Sequence, residues 1–425
     1  MSGPRNVLLI TVDCLRADRL EAAIEAGYAP NIAALSADGT RFERAFTVAN
    51  ATDPSLTSLL TGLIPPAHGV MENGWGLDGS VPTAATRLRA TGFDTAGVVS
   101  VDHLAHEHSG LGRGFERYHD GDGKYEAIYP LLSRIYDTRT FNLVFGAIKN
   151  RGVAGITVKD LLRRLGIIQL HERPAKSVTA DAVAAIDELE EPFFTWVHYF
   201  DLHEPRNAPR HLRHEHEDRY DAALHHVDDH VGRLLEALVD RGALDDTLVV
   251  LTADHGEALG EHGYTGHGRT LYDEELHVPL VFAHESLPKT SVRSQVRTID
   301  ILPTILEVLG LDGDGLDGHP LLAEGSVLDE VDRPVVAMAY PRFGARYAVR
   351  TPTHKLILDS EAGTVELFEF EADPAERVDV AGEDPDEVRR LKSHLDPWLE
   401  RTDRVTEQTV DEETEEMLAD LGYVD

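Results

Sequence analysis

Residues 6–13 read NVLLITVD, and residues 247–256 read TLVVLTADHG. Each is a short, partly β-branched apolar run that ends at or next to an acid. A run without polar alternation predicts a strand buried on both faces, as in a parallel sheet. Further strands are predicted over 93–100 and 193–198. Helices are predicted over 30–36, 55–60, 177–189, 220–241 and 299–309. The 220–241 stretch carries Leu224, Val227, Val231, Leu234, Leu235 and Leu238 at helical spacing. Strands alternating with helices predict an α/β fold, a doubly wound and mostly parallel sheet. Ligands in such sheets sit at the carboxyl ends of the strands. Asp13, Asp254 and His255 all fall there, which places a site before any family is considered.

After residue 331 the pattern changes. Short β-like segments (335–339, 347–350, 355–358, 364–369) precede a helix over 385–399 and an acidic tail. The expected organisation is a catalytic α/β domain over 1–330 and a smaller antiparallel C-terminal subdomain over 331–425. Residues 124–169 mix apolar side chains (Phe141, Leu143, Phe145) with basic ones (Arg134, Lys149, Arg163). They read as a lid insertion, with an oligomer contact or a membrane-surface element as alternatives.

The 425 residues carry 40 basic and 75 acidic side chains, a net charge of −35. A hydrophobic content of 42% excludes a wholly disordered acidic chain. The charge excludes nucleic acid and anionic lipid surfaces as natural partners. Only 7 of the 40 basic residues are Lys. Diffuse acidity suits a protein that works in high salt, where repulsion is screened, so a halophilic source is expected. Cys14 is the single cysteine, which excludes an intrachain disulfide and a cysteine-cluster metal site. No apolar run matches a signal peptide or the ~20 residues of a membrane span. A cytoplasmic location is expected.

The acid–imidazole pair Asp254 and His255, with Asp13 from another strand end, forms a donor set for a divalent cation. Mixed oxygen and nitrogen donors suit Zn²⁺ or Mn²⁺, whereas an all-oxygen set suits Ca²⁺ or Mg²⁺. Thr52 precedes Asp53-Pro54-Ser55. A helix opening at Pro54 puts Thr52 at its N-terminal end, where free N–H groups favour an anion. A metal-bound hydroxyl there is an activated nucleophile. A plain capping threonine is the alternative.

Several motifs carry a resemblance. They are NVLLITVDCLR (6–16), TDPSLTSLLTG (52–62), PAHGV (66–70) with Asn73, and WVHYFDLHEP (196–205). TADHGEALGEHG (252–263) with His267, residues 296–309 and VELFEFEADPAERVDVA (365–381) complete the set. In this order they resemble the sulfatase branch of the alkaline phosphatase superfamily across almost the whole chain. The resemblance implies an alkaline-phosphatase-like fold and a metal-dependent hydrolase or transferase acting on phosphate or sulfate esters.

Two departures from the sulfatase pattern bear on mechanism. Thr52 stands where sulfatases oxidise a cysteine to formylglycine, and Leu56 replaces the signature arginine. Cys14 replaces a second acid in the first loop, and His255 stands where Asn is usual. The set Asp13, Thr52, Asp254, His255 instead resembles phosphodiesterases and phosphoglycerol transferases with a Thr or Ser nucleophile on Zn²⁺ or Mn²⁺. The resemblance thus implies one divalent ion, Mn or Zn rather than Ca or Mg, held by these four residues. Thr52 would attack phosphorus or sulfur in an anionic ester substrate. His203 and His267 would contact the leaving group, and Asn73 would donate a hydrogen bond to substrate. His68 reads as structural, His198 as a packed core residue, and His103, His106 and His108 as a solvated loop. Asp201 with His203 and His267 as a second metal site is the weaker reading. Two alternatives stand beside this one: a sulfuric ester hydrolase without formylglycine, and a catalytically decayed binding protein. Leu56 and Cys14 favour decay, but the retained ligands oppose it.

Overall fold

The computed structural model describes residues 3–121, 172–328, 332–339, 342 and 344–423. The 124–169 segment, with its lid and membrane readings, lies outside the described residues.

The strands are β1 (Asn6–Val12), β2 (Thr40–Phe46), β3 (Asp94–Val98), β4 (Arg117–His119), β5 (Phe193–Tyr199) and β6 (Thr247–Ala253). They continue with β7 (Ala258–Leu259), β8 (Thr265–Gly266), β9 (His277–Ala283) and β10 (Thr290–Arg297). Eight of these form one sheet in the order β10-β2-β9-β6-β1-β5-β3-β4, and β7 pairs with β8. Only β9 runs antiparallel to its neighbours in the large sheet. The central strands β1, β5 and β6 are buried at every residue, as their unbroken apolar runs require. Charged residues alternate through β2 and β10, and β9 contains Pro279. β2 and β10 lack such a run, and their sequence signal is correspondingly weak; β9 is apolar and buried from Val278 to Ala283, and its proline is what obscures it.

The crossover helices Ala175–Glu188 and Arg219–Arg241 pack on each other, and helix Thr52–Thr61 packs on Ile301–Val308. Helix Thr52–Thr61 opens two residues before the expected Pro54. Proline lacks only an N–H that the first turn leaves free, so the helix starts ahead of it.

The ribbon β11 (Leu322–Ala323) and β12 (Ser326–Val327) precedes a second sheet. That sheet is antiparallel, β13 (Val335–Met338), β14 (Arg346–Arg350), β15 (His354–Asp359) and β16 (Thr364–Glu369) in sequence order. The helix expected over 385–399 is two, Pro385–Lys392 and Asp396–Thr402, the second with proline in its first turn. The acidic tail contains a further helix, Glu412–Leu421.

One apolar core runs through both sheets. They are also joined by polar contacts. Met338 bridges Ala49. Lys355 Nζ, fully buried, lies 2.6 Å from Asp273 Oδ1 and 2.7 Å from Glu376 Oε1, and donates to the Leu271 carbonyl at 3.0 Å. Arg350 adds three bonds to the same Asp273 carboxylate. Together Arg350 and Lys355 hold the Asp273 carboxyl below its ordinary range against the opposing effect of burial.

Candidate active site

Strand β1 lies between β5 and β6, with Thr11 level with His198 and Thr252. This register brings Asp13, His198, Asp254 and His255 together at one carboxyl edge. Helix Thr52–Thr61 points its first residue at the same place. Ser55 fixes the approach: its hydroxyl donates to the Asp254 carbonyl at 2.6 Å and meets Thr47 Oγ1 at 2.8 Å. The turn after β6 is tight. A Cβ on Gly256 would sit 2.1 Å from the Glu274 carbonyl oxygen, so only glycine fits. Cys14 adopts a left-handed conformation, φ 59°, and its N–H donates to Asp254 Oδ1 at 3.3 Å.

Thr52 Oγ1 is surrounded by polar atoms. Asp13 Oδ2 lies at 3.2 Å, His255 Nε2 at 3.3 Å and the Tyr423 hydroxyl at 3.1 Å. His255 Nδ1 lies 2.8 Å from the Gly256 carbonyl. A carbonyl only accepts, so Nδ1 carries the proton and Nε2 presents a lone pair to Thr52. The same logic applies to His203, whose Nδ1 donates to the Glu204 carbonyl at 2.9 Å.

The donor set fits a divalent cation. Asp13 Oδ1, Asp254 Oδ2 and His198 Nε2 are buried and have no hydrogen-bond partner among the described residues. One ligand atom from each of Asp13, His198 and Asp254 lies within 4.8 Å of the others. Burial, and then the facing Asp254 carboxylate, pushes the Asp13 carboxyl well up. A cation offsets both effects. Cys14, His255 and His267 likewise bring one ligand atom each within 4.8 Å of one another. Burial, then Asp13, pushes the Cys14 thiol well up.

The remaining expected residues are placed as follows. His203 and His267 flank the site, with ring centroids 5.2 Å apart, and His267 lies 4.3 Å from the His255 ring. Burial lowers His203 to about 3 and holds His267 well below its ordinary value, so both rings are neutral here. Asn73 Oδ1 accepts the Asp53 N–H at 2.9 Å, and its buried Nδ2 has no partner among the described residues. His68 bonds Ser58 and the Val70 N–H, in keeping with a structural role. Asp201 does not join His203 and His267. Its Oδ1 accepts the Ala175 N–H at the start of helix Ala175–Glu188.

Three side chains depart from the sequence reading. His198 is in the core, but its Nε2 faces the two carboxylates. His103 is fully buried rather than solvated, because Asp53 Oδ1 holds its Nδ1 at 2.7 Å. Tyr423 comes from the tail, 371 residues from Thr52. A polar residue ending a strand beside β1 was a usable signal for His198; no local pattern marks Tyr423. Two surface hollows of about 420 and 340 Å³ lie along helix Arg219–Arg241 and before its start, and neither is lined by a site residue.

Residues 5–311 match the family model described as Sulfatase. The chain belongs to the sulfatase family. It is 25% identical to the choline-sulfatase of Rhizobium meliloti over 89% of this chain and 83% of that one. It is 29% identical to the low-salt glycan biosynthesis sulfotransferase Agl7 of Haloferax volcanii over 41% of this chain and 48% of that one. The phosphonate monoester hydrolase of Silicibacter pomeroyi superposes with a TM-score of 0.70 at 22% identity, covering 96% of this chain and 97% of that one. The last likeness establishes the alkaline-phosphatase-like α/β fold. Family membership makes the chain a sulfatase-family ester hydrolase, in a metal-dependent family. Among the described residues, no helix is long and apolar enough to cross a membrane.

Proposed function

We propose that this sulfatase-family protein cleaves anionic phosphate or sulfate esters with Thr52 as the nucleophile. The observation that carries the reading is Thr52 Oγ1 held within 3.3 Å of both Asp13 and His255 at a helix N-terminus. Asp13, Asp254, His255 and Thr52 would hold one divalent ion, with His198 as a further donor. Nitrogen donors in the set favour Mn²⁺ or Zn²⁺ over Ca²⁺ or Mg²⁺. When bound, the ion supplies Lewis acidity and lowers the hydroxyl pKa.

The chain's own groups account for the remaining steps. Thr52 Oγ1 attacks phosphorus or sulfur in line, its proton passing to Asp13 Oδ2, which lies 3.2 Å away. The bond to the ester oxygen breaks, leaving a phospho- or sulfo-threonine. Water or an acceptor alcohol then cleaves that ester and regenerates the hydroxyl. An incoming anion raises the pKa of His203 and His267, so either ring becomes able to protonate the leaving oxygen. Asn73 Nδ2 is free to donate to a substrate oxygen. The likeness to a Haloferax sulfotransferase supports a second reading: transfer to an acceptor rather than to water.

The test is turnover of aryl phosphodiesters, phosphonate monoesters and aryl sulfates with added Mn²⁺ or Zn²⁺. Thr52→Ala should lose about 10³-fold or more in kcat. Full activity in Thr52→Ala would refute the nucleophile.

A further inference from the structure

Thr52 carries one hydroxyl hydrogen, and two of its three neighbours can only accept it. Asp13 Oδ2 at 3.2 Å is a carboxylate oxygen, and His255 Nε2 at 3.3 Å presents its lone pair. The third neighbour is the Tyr423 hydroxyl at 3.1 Å. With the threonine hydrogen committed to an acceptor, the Tyr423 O–H donates and Thr52 Oγ1 accepts. Among the described residues the phenol is the one donor aimed at Oγ1, and Oγ1 is the one hydrogen-bond partner of the phenol.

The support of the phenol runs back to the nucleophile. Helix Glu412–Leu421 ends at Gly422, φ 90°, which turns Tyr423 inward. A Cβ on Gly74 would meet Leu418 at 3.0 Å and Thr414 at 3.1 Å, so the helix lies directly on that glycine. Asp53, the residue after Thr52, joins both supports. Its Oδ2 accepts the Gly74 N–H at 2.6 Å, and its Oδ1 lies 2.7 Å from His103 Nδ1. His103 stands perpendicular to the Tyr423 ring with centroids 5.5 Å apart, and His267 meets the ring edge-on at 5.5 Å.

A donor at Thr52 Oγ1 acts differently on the two steps. During attack, negative charge leaves that oxygen as the ester bond forms, and a hydrogen bond to it weakens. During breakdown of the phospho- or sulfo-threonine, the bond from phosphorus or sulfur to Oγ1 breaks and its electron pair stays on Oγ1. The hydrogen bond then strengthens toward the transition state, which is the condition for catalysis. The need is greatest there, because an aliphatic alkoxide is a poorer leaving group than a phenoxide. The step balances without a proton from the phenol. Water bonds to phosphorus or sulfur and gives a proton to the neutral ring of His203 or His267, and Asp13 returns to Oγ1 the proton it took. We propose that Tyr423 is a catalytic residue of this second step, its O–H held on Thr52 Oγ1 to carry the charge that forms as the threonine departs. This rests on the Thr52 reading.

The experiment compares wild type, Tyr423→Phe and Thr52→Ala on bis(4-nitrophenyl) phosphate and 4-nitrophenyl sulfate by rapid mixing, with intact-mass and peptide analysis of quenched samples. Tyr423→Phe keeps the ring and should melt as wild type does. Its kcat should fall about 10²-fold, with a fast first release of nitrophenol ahead of slow turnover. The peptide containing Thr52 should carry the transferred phosphoryl or sulfuryl group while turnover continues. Wild-type kcat in Tyr423→Phe would overturn the proposal. So would a fall in kcat with neither the fast release nor the adduct, which is what loosened packing gives. Thr52→Ala separates the two readings. An inactive Thr52→Ala beside a Tyr423→Phe that behaves as wild type sinks only the role of the phenol, whereas a fully active Thr52→Ala sinks the nucleophile itself.

Discussion

At the residue scale, the site is a convergence of atoms that lack partners. Asp13 Oδ1, Asp254 Oδ2 and His198 Nε2 face one another in a volume with no water access. His198→Ala should reduce bound metal per chain, read by elemental analysis after dialysis. Gly256→Ala forces the Asp254–Gly256 turn off the Glu274 carbonyl. It should cost about 1–3 kcal/mol of stability and weaken metal affinity, seen as a smaller metal-induced thermal shift. Asp13, Thr52, Asp254 and His255 were legible in the sequence because each closes a strand or opens a helix, and that position is written locally. His198 was half legible: its strand was, but the alternation that aims its ring at the carboxylates looked like packing. Tyr423 was not legible, since nothing near residue 423 encodes a partner near residue 52.

At the element scale, buried acids hold helices and sheets in place. Asp201 accepts the first N–H of helix Ala175–Glu188 with one oxygen, and the other has no partner among the described residues. Burial raises its carboxyl to about 8. The folded chain therefore keeps a proton that the unfolded chain, with an ordinary Asp near 3.9, has released. That contribution is full below about pH 4 and is lost as pH rises toward 8. Asp201→Asn removes the loss, so its stability relative to wild type should increase from pH 5 to pH 8 in urea titrations. The large sheet was readable wherever strands are apolar throughout, as in β1 and β6. The edge strand β10 and its neighbour β2 were not, because a half-buried strand interleaves its apolar residues with charges.

At the scale of the whole molecule, a chain of net charge −35 must still receive an anion. Attraction is confined to a buried donor set, a helix N-terminus and a ring of histidines, while the exterior repels. Salt screens that exterior within about 10 Å at 0.1 M and about 3 Å at 1 M. Thermal stability and kcat/KM should therefore both rise with KCl, with circular dichroism followed alongside to separate screening from refolding. The two sheets share one continuous apolar core. Lys355→Met removes the cation between Asp273 and Glu376 and should cost about 3 kcal/mol.

That same lysine has a chemical consequence. Amines are scarce in this chain, and Lys355 is shut away while Lys289 stands more than half exposed. An acylating reagent will modify Lys289 in the native protein and spare Lys355. Mass-resolved acylation at Lys355 thus becomes a clock for the second sheet, recording how often it lifts from the first.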